Sequence, residues 1–304
     1  MLCIPRASLN RERGHMIEFT AAQDHRGRQD KRIEFPEPVE ISASPFDVSI
    51  RDVYLGREPV RLYMSGDTIF SGMYLDRSRR DELVFDYTAA YDRMFGSVEA
   101  RNVLMIGGAA YTYPRHCILT HPGIAVTVVD ADPCAEEIAR DYFYLNEFLE
   151  ELPSGAAGRF RRVTADGRAF LDQCAFGFDA ILNDAFVGAE PVGSLASKEA
   201  LRRIRCMLDG SGVYMTNILA SVNGRAGRFL RAEVKTLRYV FRHVYVFPVT
   251  PGTHPEELSN WMLMASDREL SVPDAVEVKT GRDDPILEDR RLPSAVLRAA
   301  ADEL

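Results

Sequence analysis

Two short runs hold the side chains and turns best suited to chemistry. Val103-Leu-Met-Ile-Gly-Gly-Ala-Ala110 reads as a buried strand ending in a glycine turn. Val126-Thr-Val-Val-Asp-Ala-Asp-Pro133 reads as a second strand ending in acids. Gly107 and Gly108 have no Cβ, so the backbone turns sharply and a ligand can approach it closely. Asp130 follows that turn by about twenty residues, where an open α/β sheet places a carboxylate against ribose hydroxyls. The pattern predicts a site for a nucleoside-containing cofactor.

Reading the ends of the later strands in order adds Asp166-Gly167 and Asn183-Asp184. Open α/β sheets bind ligands at the carboxyl ends of their strands, so these groups converge on one rim. An acid at such an end, beside a nucleoside, is able to hold an amine and accept its proton. Each acid also has a structural alternative as a helix N-cap. That alternative is strongest for Asp132, which stands directly before Pro133 and a helix, and weaker for Asp130 and Asp184. Tyr111, Thr112 and Tyr113 follow the glycine turn and either line the cleft or pack the first helix on the sheet.

The elements that must position these groups follow from the periodicity. Candidate strands are 103–106, 125–129, 160–163, 180–183, 212–217, 244–248 and 261–265, with helices at 135–149, 167–173, 197–207 and 225–241. This alternation predicts a mostly parallel sheet covered on both faces. The last two strands are joined by too short a link for a crossover, so they pair antiparallel. Ahead of them, 81–95 reads as a helix with Leu83, Tyr87, Ala90, Tyr91 and Met94 on one face. Residues 46–75 read as short strands, with hairpin chemistry at Ser65-Gly-Asp67. Four parts result: a weakly ordered leader over 1–45, a small β-domain over 46–78, the main α/β domain over 79–270, and a tail over 271–304. Leu287, Leu292, Val296 and Leu297 predict a short helix in the tail, docked on the body.

Composition narrows the function. The 304 residues carry a net charge of -8, against nucleic acid or an anionic membrane as the partner. Five scattered cysteines without a CxxC pair fit a reducing cytoplasm, and Trp261 falls in a strand as core. No apolar run is long enough to span a bilayer, and the N-terminus lacks a signal-peptide core. HExxH, GxSxG and GxxxxGK[ST] are all absent, so no metal is expected and neither serine hydrolysis nor phosphate transfer has a motif.

The order of VLMIGG, VVDADP, ADGRAFL, FDAILNDAF and DGSGVYMTN behind a hairpin unit and a DE segment resembles the spermidine synthase (polyamine aminopropyltransferase) family. It is closest to a spermidine-synthase-like branch, and the likeness covers roughly residues 46–266. The resemblance implies a class I methyltransferase-like Rossmann domain behind a small N-terminal antiparallel β-domain, in a homodimer. It implies decarboxylated S-adenosylmethionine as co-substrate and an amine acceptor. By the same resemblance, Gly107, Gly108, Asp130, Ala131 and Asn183 bind the nucleoside cofactor, and Asp166 with Gly167 faces the adenine amino group. Asp184 becomes the catalytic acid.

Departures from that family sit in the amine half. Ala109-Ala110-Tyr111 replaces Gly-Asp-Gly, and Ala185-Phe186-Val187-Gly188 follows Asp184 where a second acid is expected. Phe85-Asp86-Tyr87 replaces Tyr-His-Glu, and Phe70 stands near the place of a Gln. Tyr111, Asp86, Phe186 and Glu190 are then the candidates for contact with the acceptor. Two alternatives stand beside aminopropyl transfer: transfer of a methyl or other alkyl group from intact S-adenosylmethionine to a different small nucleophile, and nucleoside binding without catalysis.

Overall fold

The structure, a computed structural model, describes residues 35–153, 157–174, 177–188 and 190–292. Four antiparallel strands open the fold: β1 (Val39–Ile41), β2 (Val48–Leu55), β3 (Glu58–Ser65) and β4 (Thr68–Tyr74), paired in that order. Ser65 pairs with Thr68 and Gly66 takes φ +54°, so the hairpin forms at Ser65-Gly-Asp67 as its residues predict. β1 lies inside the stretch expected to be a leader: Val39 and Ile41 pair with Ile50 and Val48. Residues 1–34 of that stretch lie outside the described residues.

The second layer begins with α1 (Asp86–Ala89), which passes into a 3-10 turn over Ala90–Gly96. The expected helix over 81–95 is therefore shorter. Asp81 cannot cap it, because its carboxylate is 2.9 Å from the Arg115 guanidinium, and Phe85 at the helix start offers no capping side chain. Then follow β5 (Asn102–Ile106), α2 (Thr112–Thr120), β6 (Ala125–Asp130), α3 (Ala135–Tyr142) and α4 (Leu145–Glu151). α3 and α4 were expected as one helix. The chain breaks at Tyr144, with φ +56°, and the Phe143 carbonyl turns to accept the buried Arg115 guanidinium instead of continuing the ladder.

The remainder is β7 (Phe160–Thr164), α5 (Gly167–Gln173), β8 (Phe178–Asn183), the short pair β9 (Phe186–Val187) and β10 (Glu190–Pro191), α6 (Lys198–Met207), β11 (Leu208–Ala220), α7 (Arg228–Val240), β12 (His243–Pro248) and β13 (Ser259–Ser266). Seven strands form one sheet in the order β12-β13-β11-β8-β5-β6-β7. β11, β8, β5, β6 and β7 run parallel, and β13 is antiparallel to both β11 and β12. This is the class I methyltransferase-like Rossmann fold. Near-continuous runs such as Val103-Leu-Met-Ile106 are what a sheet buried on both faces requires. Two apolar clusters fill those faces, one under α5, α6 and α7, the other under α2, α3 and α4. Trp261 is core, as expected.

The chain after β13 does not form the expected short helix over the described residues up to 292. Leu287 is instead fully buried as part of an extended strap, its N–H donating to Thr236 Oγ1 and its carbonyl accepting the Lys198 N–H. Val296 and Leu297 lie outside the described residues. No helix among the described residues is long and apolar enough to cross a membrane.

Candidate active site

Sequence order reverses direction beside β5: β6 and β7 extend the sheet on one side, β8 and β11 on the other. Such a reversal opens a crevice at the carboxyl ends of the strands. A cleft of about 960 Å³, its open mouth included, occupies that place. Its floor is Gly107, Gly108, Asp130, Ala131 and Asp184, and its roof comes from the small sheet through Phe46, Val48, Tyr63 and Phe70.

The glycines are required by close approach. At Gly107, φ is +88° and an added Cβ would lie 2.5 Å from the Asp184 carbonyl oxygen. At Gly108 it would lie 2.6 Å from Val128 Cγ1. The turn continues with Ala109 at φ +42° and Tyr111 at φ +56°, a left-handed path that costs L residues about 1–2 kcal/mol each. Asp130 compensates. Its Oδ2 accepts the N–H groups of Gly108 and Ala109 at 2.7 and 3.0 Å, and its Oδ1 accepts the Asp132 N–H at 2.9 Å. Burial pushes the Asp130 carboxyl above the usual range, and these backbone donors pull it back. Three of its four lone-pair sites are taken, and Oδ1 keeps one free, so a ribose hydroxyl would fit beside the glycine cradle.

Asp184 begins the loop after β8, its N–H bonded to the Ile106 carbonyl at 2.9 Å. This ties it to the glycine strand. The Tyr91 hydroxyl is 3.2 Å from Asp184 Oδ1 and 3.1 Å from the Asn183 carbonyl. Burial raises the Asp184 pKa, and the Tyr91 hydroxyl moderates the rise. A carboxylate whose pKa is raised is a stronger base than a free one, which suits it to taking a proton in the cleft.

The other expected site residues divide. Gly167, Ala131 and Phe186 line the cleft, whereas Asp166, Asn183, Tyr111, Asp86 and Glu190 are not part of its lining. Asp166 caps α5 by accepting the Ala169 N–H at 2.8 Å, which is the structural alternative for an acid at a strand end. The Asn183 amide turns away to donate to the Tyr214 hydroxyl at 3.1 Å. Tyr111 is 2% exposed and packs edge-on against Phe160, because its left-handed backbone drives the ring under the turn. Asp86 is exposed on the first residue of α1 and borders a separate groove, and Glu190 lies on β10.

Two features escaped the sequence reading. Tyr91 was taken only as one of a helix's apolar face, and its position opposite Asp184 depends on the tight 3-10 turn. Asp132 is a junction: its Oδ2 accepts the Ser44 and Tyr63 hydroxyls at 2.7 and 3.2 Å, fastening the small sheet over the cleft. Its Oδ1 accepts the Cys134 N–H at 2.8 Å. Among the described residues no three His, Cys, Asp or Glu side chains gather as a metal site would need.

No family model matches the chain. Curated relatives do. A polyamine aminopropyltransferase of Neisseria meningitidis is 28% identical over 158 residues, 51% of this chain and 56% of that protein. One from Chromobacterium violaceum is 29% identical over 196 residues, 63% of this chain and 66% of that protein. The chain thus spans little more than half the length of the first of these. Among solved structures, a probable spermidine synthase from Corynebacterium glutamicum superposes with a TM-score of 0.60 at 22% identity, covering 75% of this chain and 80% of that one. A spermidine synthase in complex with the transition-state analogue AdoDATO gives 0.50 at 18% identity, covering 83% and 88%. These likenesses confirm the fold. The resemblance read from the motifs is borne out by the curated relatives.

Proposed function

We propose that this chain is an aminopropyltransferase that moves the aminopropyl group of decarboxylated S-adenosylmethionine to a small amine. The observation that carries the reading is the placement of Asp184, a carboxylate on the cleft floor held by the Tyr91 hydroxyl, against the glycine turn that Asp130 organises. The names of the curated relatives favour aminopropyl transfer over the methyl-transfer and non-catalytic alternatives.

The chain's own residues divide the work. Gly107 and Gly108 admit the nucleoside to the backbone, and Asp130 takes the ribose hydroxyls. The co-substrate supplies an electrophilic carbon beside a sulfonium. Asp184 orients the acceptor nitrogen toward that carbon and takes its proton. The nitrogen lone pair forms the new C–N bond while the C–S electron pair passes to sulfur. Alignment and one proton transfer are all the protein must contribute. We assign Ala131 and Gly167 to the nucleoside end and Phe186 to the acceptor end. The family resemblance and the scattered thiols support a homodimer working in the cytoplasm.

Calorimetry with decarboxylated and intact S-adenosylmethionine, side by side, tests the reading. Preference for the decarboxylated form, followed by release of methylthioadenosine when amines are added, is the expected result. Preference for the intact form would overturn it in favour of methyl transfer, and binding of neither would leave no transferase reading standing.

A further inference from the structure

The cleft accounts for its charge in an unusual way. Its described lining holds three carboxylates, Asp130, Asp132 and Asp184. Two of them are occupied. Asp130 accepts three backbone N–H groups, and Asp132, 4% exposed, accepts two hydroxyls and a backbone N–H. Asp86 and Glu190, the candidates to replace the acids missing at Ala110 and after Asp184, stand outside the lining. Among the described residues Asp184 alone is left to meet an ammonium.

The acceptor side of the cleft is largely apolar, and its hydroxyls already hold protein partners. The Tyr87 hydroxyl donates to the Phe70 carbonyl at 2.7 Å, and the Tyr63 hydroxyl is taken by Asp132. Ser71 Oγ and Thr112 Oγ1 are bonded to each other at 2.8 Å. Phe46, Phe70, Phe186 and Val187 give that side an apolar surface, and no carboxylate among the described residues stands on it. An ammonium desolvated against such a surface without a carboxylate is strongly disfavoured. A hydrocarbon chain is favoured there by roughly fourfold in affinity per buried methylene.

We propose that the acceptor is a monoamine borne on an apolar or aromatic chain, and that diamines are poor acceptors. The proposal rests on the aminopropyl-transfer reading and names the substrate class of that same site. The amine nitrogen sits at Asp184, and its chain runs along Phe186 toward Phe70 and Phe46 under the small sheet.

The test uses the full chain with saturating decarboxylated S-adenosylmethionine and measures methylthioadenosine release with 1,4-diaminobutane, n-butylamine, n-hexylamine and 2-phenylethylamine. The expected kcat/KM for n-hexylamine and 2-phenylethylamine exceeds that for 1,4-diaminobutane by at least tenfold, and it rises from butylamine to hexylamine. A diamine that equals or beats the monoamines overturns the proposal while leaving aminopropyl transfer intact. Release with none of the amines overturns both. Phe186→Asp adds a second arm: placing an acid on the apolar wall should raise 1,4-diaminobutane turnover and lower that of hexylamine, each about tenfold. An unchanged preference in that variant, with hexylamine still turned over, would place the acceptor elsewhere.

Discussion

The Tyr91 hydroxyl lies 3.2 Å from Asp184 Oδ1, a neutral donor buried against the cleft carboxylate that has no backbone partner among the described residues. Burial holds the Tyr91 hydroxyl well above its ordinary pKa, so it stays protonated and keeps donating. Its bond favours the ionised form of Asp184. Tyr91→Phe should therefore raise the Asp184 pKa further. Since the base works ionised, the acid limb of kcat/KM moves to higher pH. Activity should recover on the alkaline side. A limb that stays in place would show that the bond does not bear on the working carboxylate.

Asp184→Asn removes the proton acceptor while keeping the shape. Turnover should fall at least about a hundredfold, the lower end for loss of a general base. Affinity for methylthioadenosine, read by calorimetry, should hold within about twofold. Full activity in this variant is incompatible with the role assigned to Asp184.

Asp130 has two tasks, and one substitution should expose both. Asp130→Ala strips partners from three backbone N–H groups and leaves a left-handed turn without its brace. Thermal unfolding should show a loss of about 2–4 kcal/mol, several unmade bonds to a charged acceptor being involved. Methylthioadenosine binding should disappear. Stability lost with binding retained would confine Asp130 to the turn.

The contrast between these two acids marks how far the sequence could be read. Strands β5, β6 and β8 were visible because a sheet buried on both faces leaves largely apolar runs, whereas the edge strand β7 carries Arg161 and Arg162. Their carboxyl ends then placed Gly107, Asp130 and Asp184 on one rim. Side-chain direction was not visible in the same way. Asp166 and Asn183 stand at the same rim, yet one caps α5 and the other bonds Tyr214, because a local backbone or core partner competes with the cleft. Tyr111 was placed in the cleft on proximity alone. Its φ of +56° sends the ring into the core, and nothing in the residue type announces a left-handed tyrosine. The break between α3 and α4 was hidden for a similar reason: it depends on Arg115, which reaches Phe143 from another helix.

Glycine and alanine should exchange with opposite signs within one turn. Gly107→Ala places a Cβ 2.5 Å from the Asp184 carbonyl and forces φ +88°, so it should destabilise the fold and displace Asp184. Ala109 already carries the strain of φ +42°. Ala109→Gly removes it, and the gain is partly offset by about 0.4–1 kcal/mol of added freedom in the unfolded chain. Melting curves should show a drop for the first variant and an unchanged or higher midpoint for the second. A clear loss for Ala109→Gly would mean that the methyl group, not the backbone, holds the turn.

Glu233 on α7 is outside the cleft lining and 1% exposed, and its Oε1 has no hydrogen-bond partner among the described residues. Burial pushes its carboxyl up to about 8. Unfolded, it ionises near its ordinary value of 4.5. Between those two values the native state holds a proton that the unfolded state has released, so stability falls as pH rises, by about 1.4 kcal/mol per unit. The wild type should therefore melt higher at pH 5 than at pH 8. Asp130 and Asp184, also raised by burial, add slopes of the same sign, so the informative quantity is the difference between variant and wild type. Glu233→Leu removes one titrating group and fills its place with hydrocarbon. The variant should gain on the wild type at pH 8 and lose most of that advantage at pH 5. Equal differences at the two pH values would mean that Glu233 finds a partner or water in solution and is not held neutral by the core.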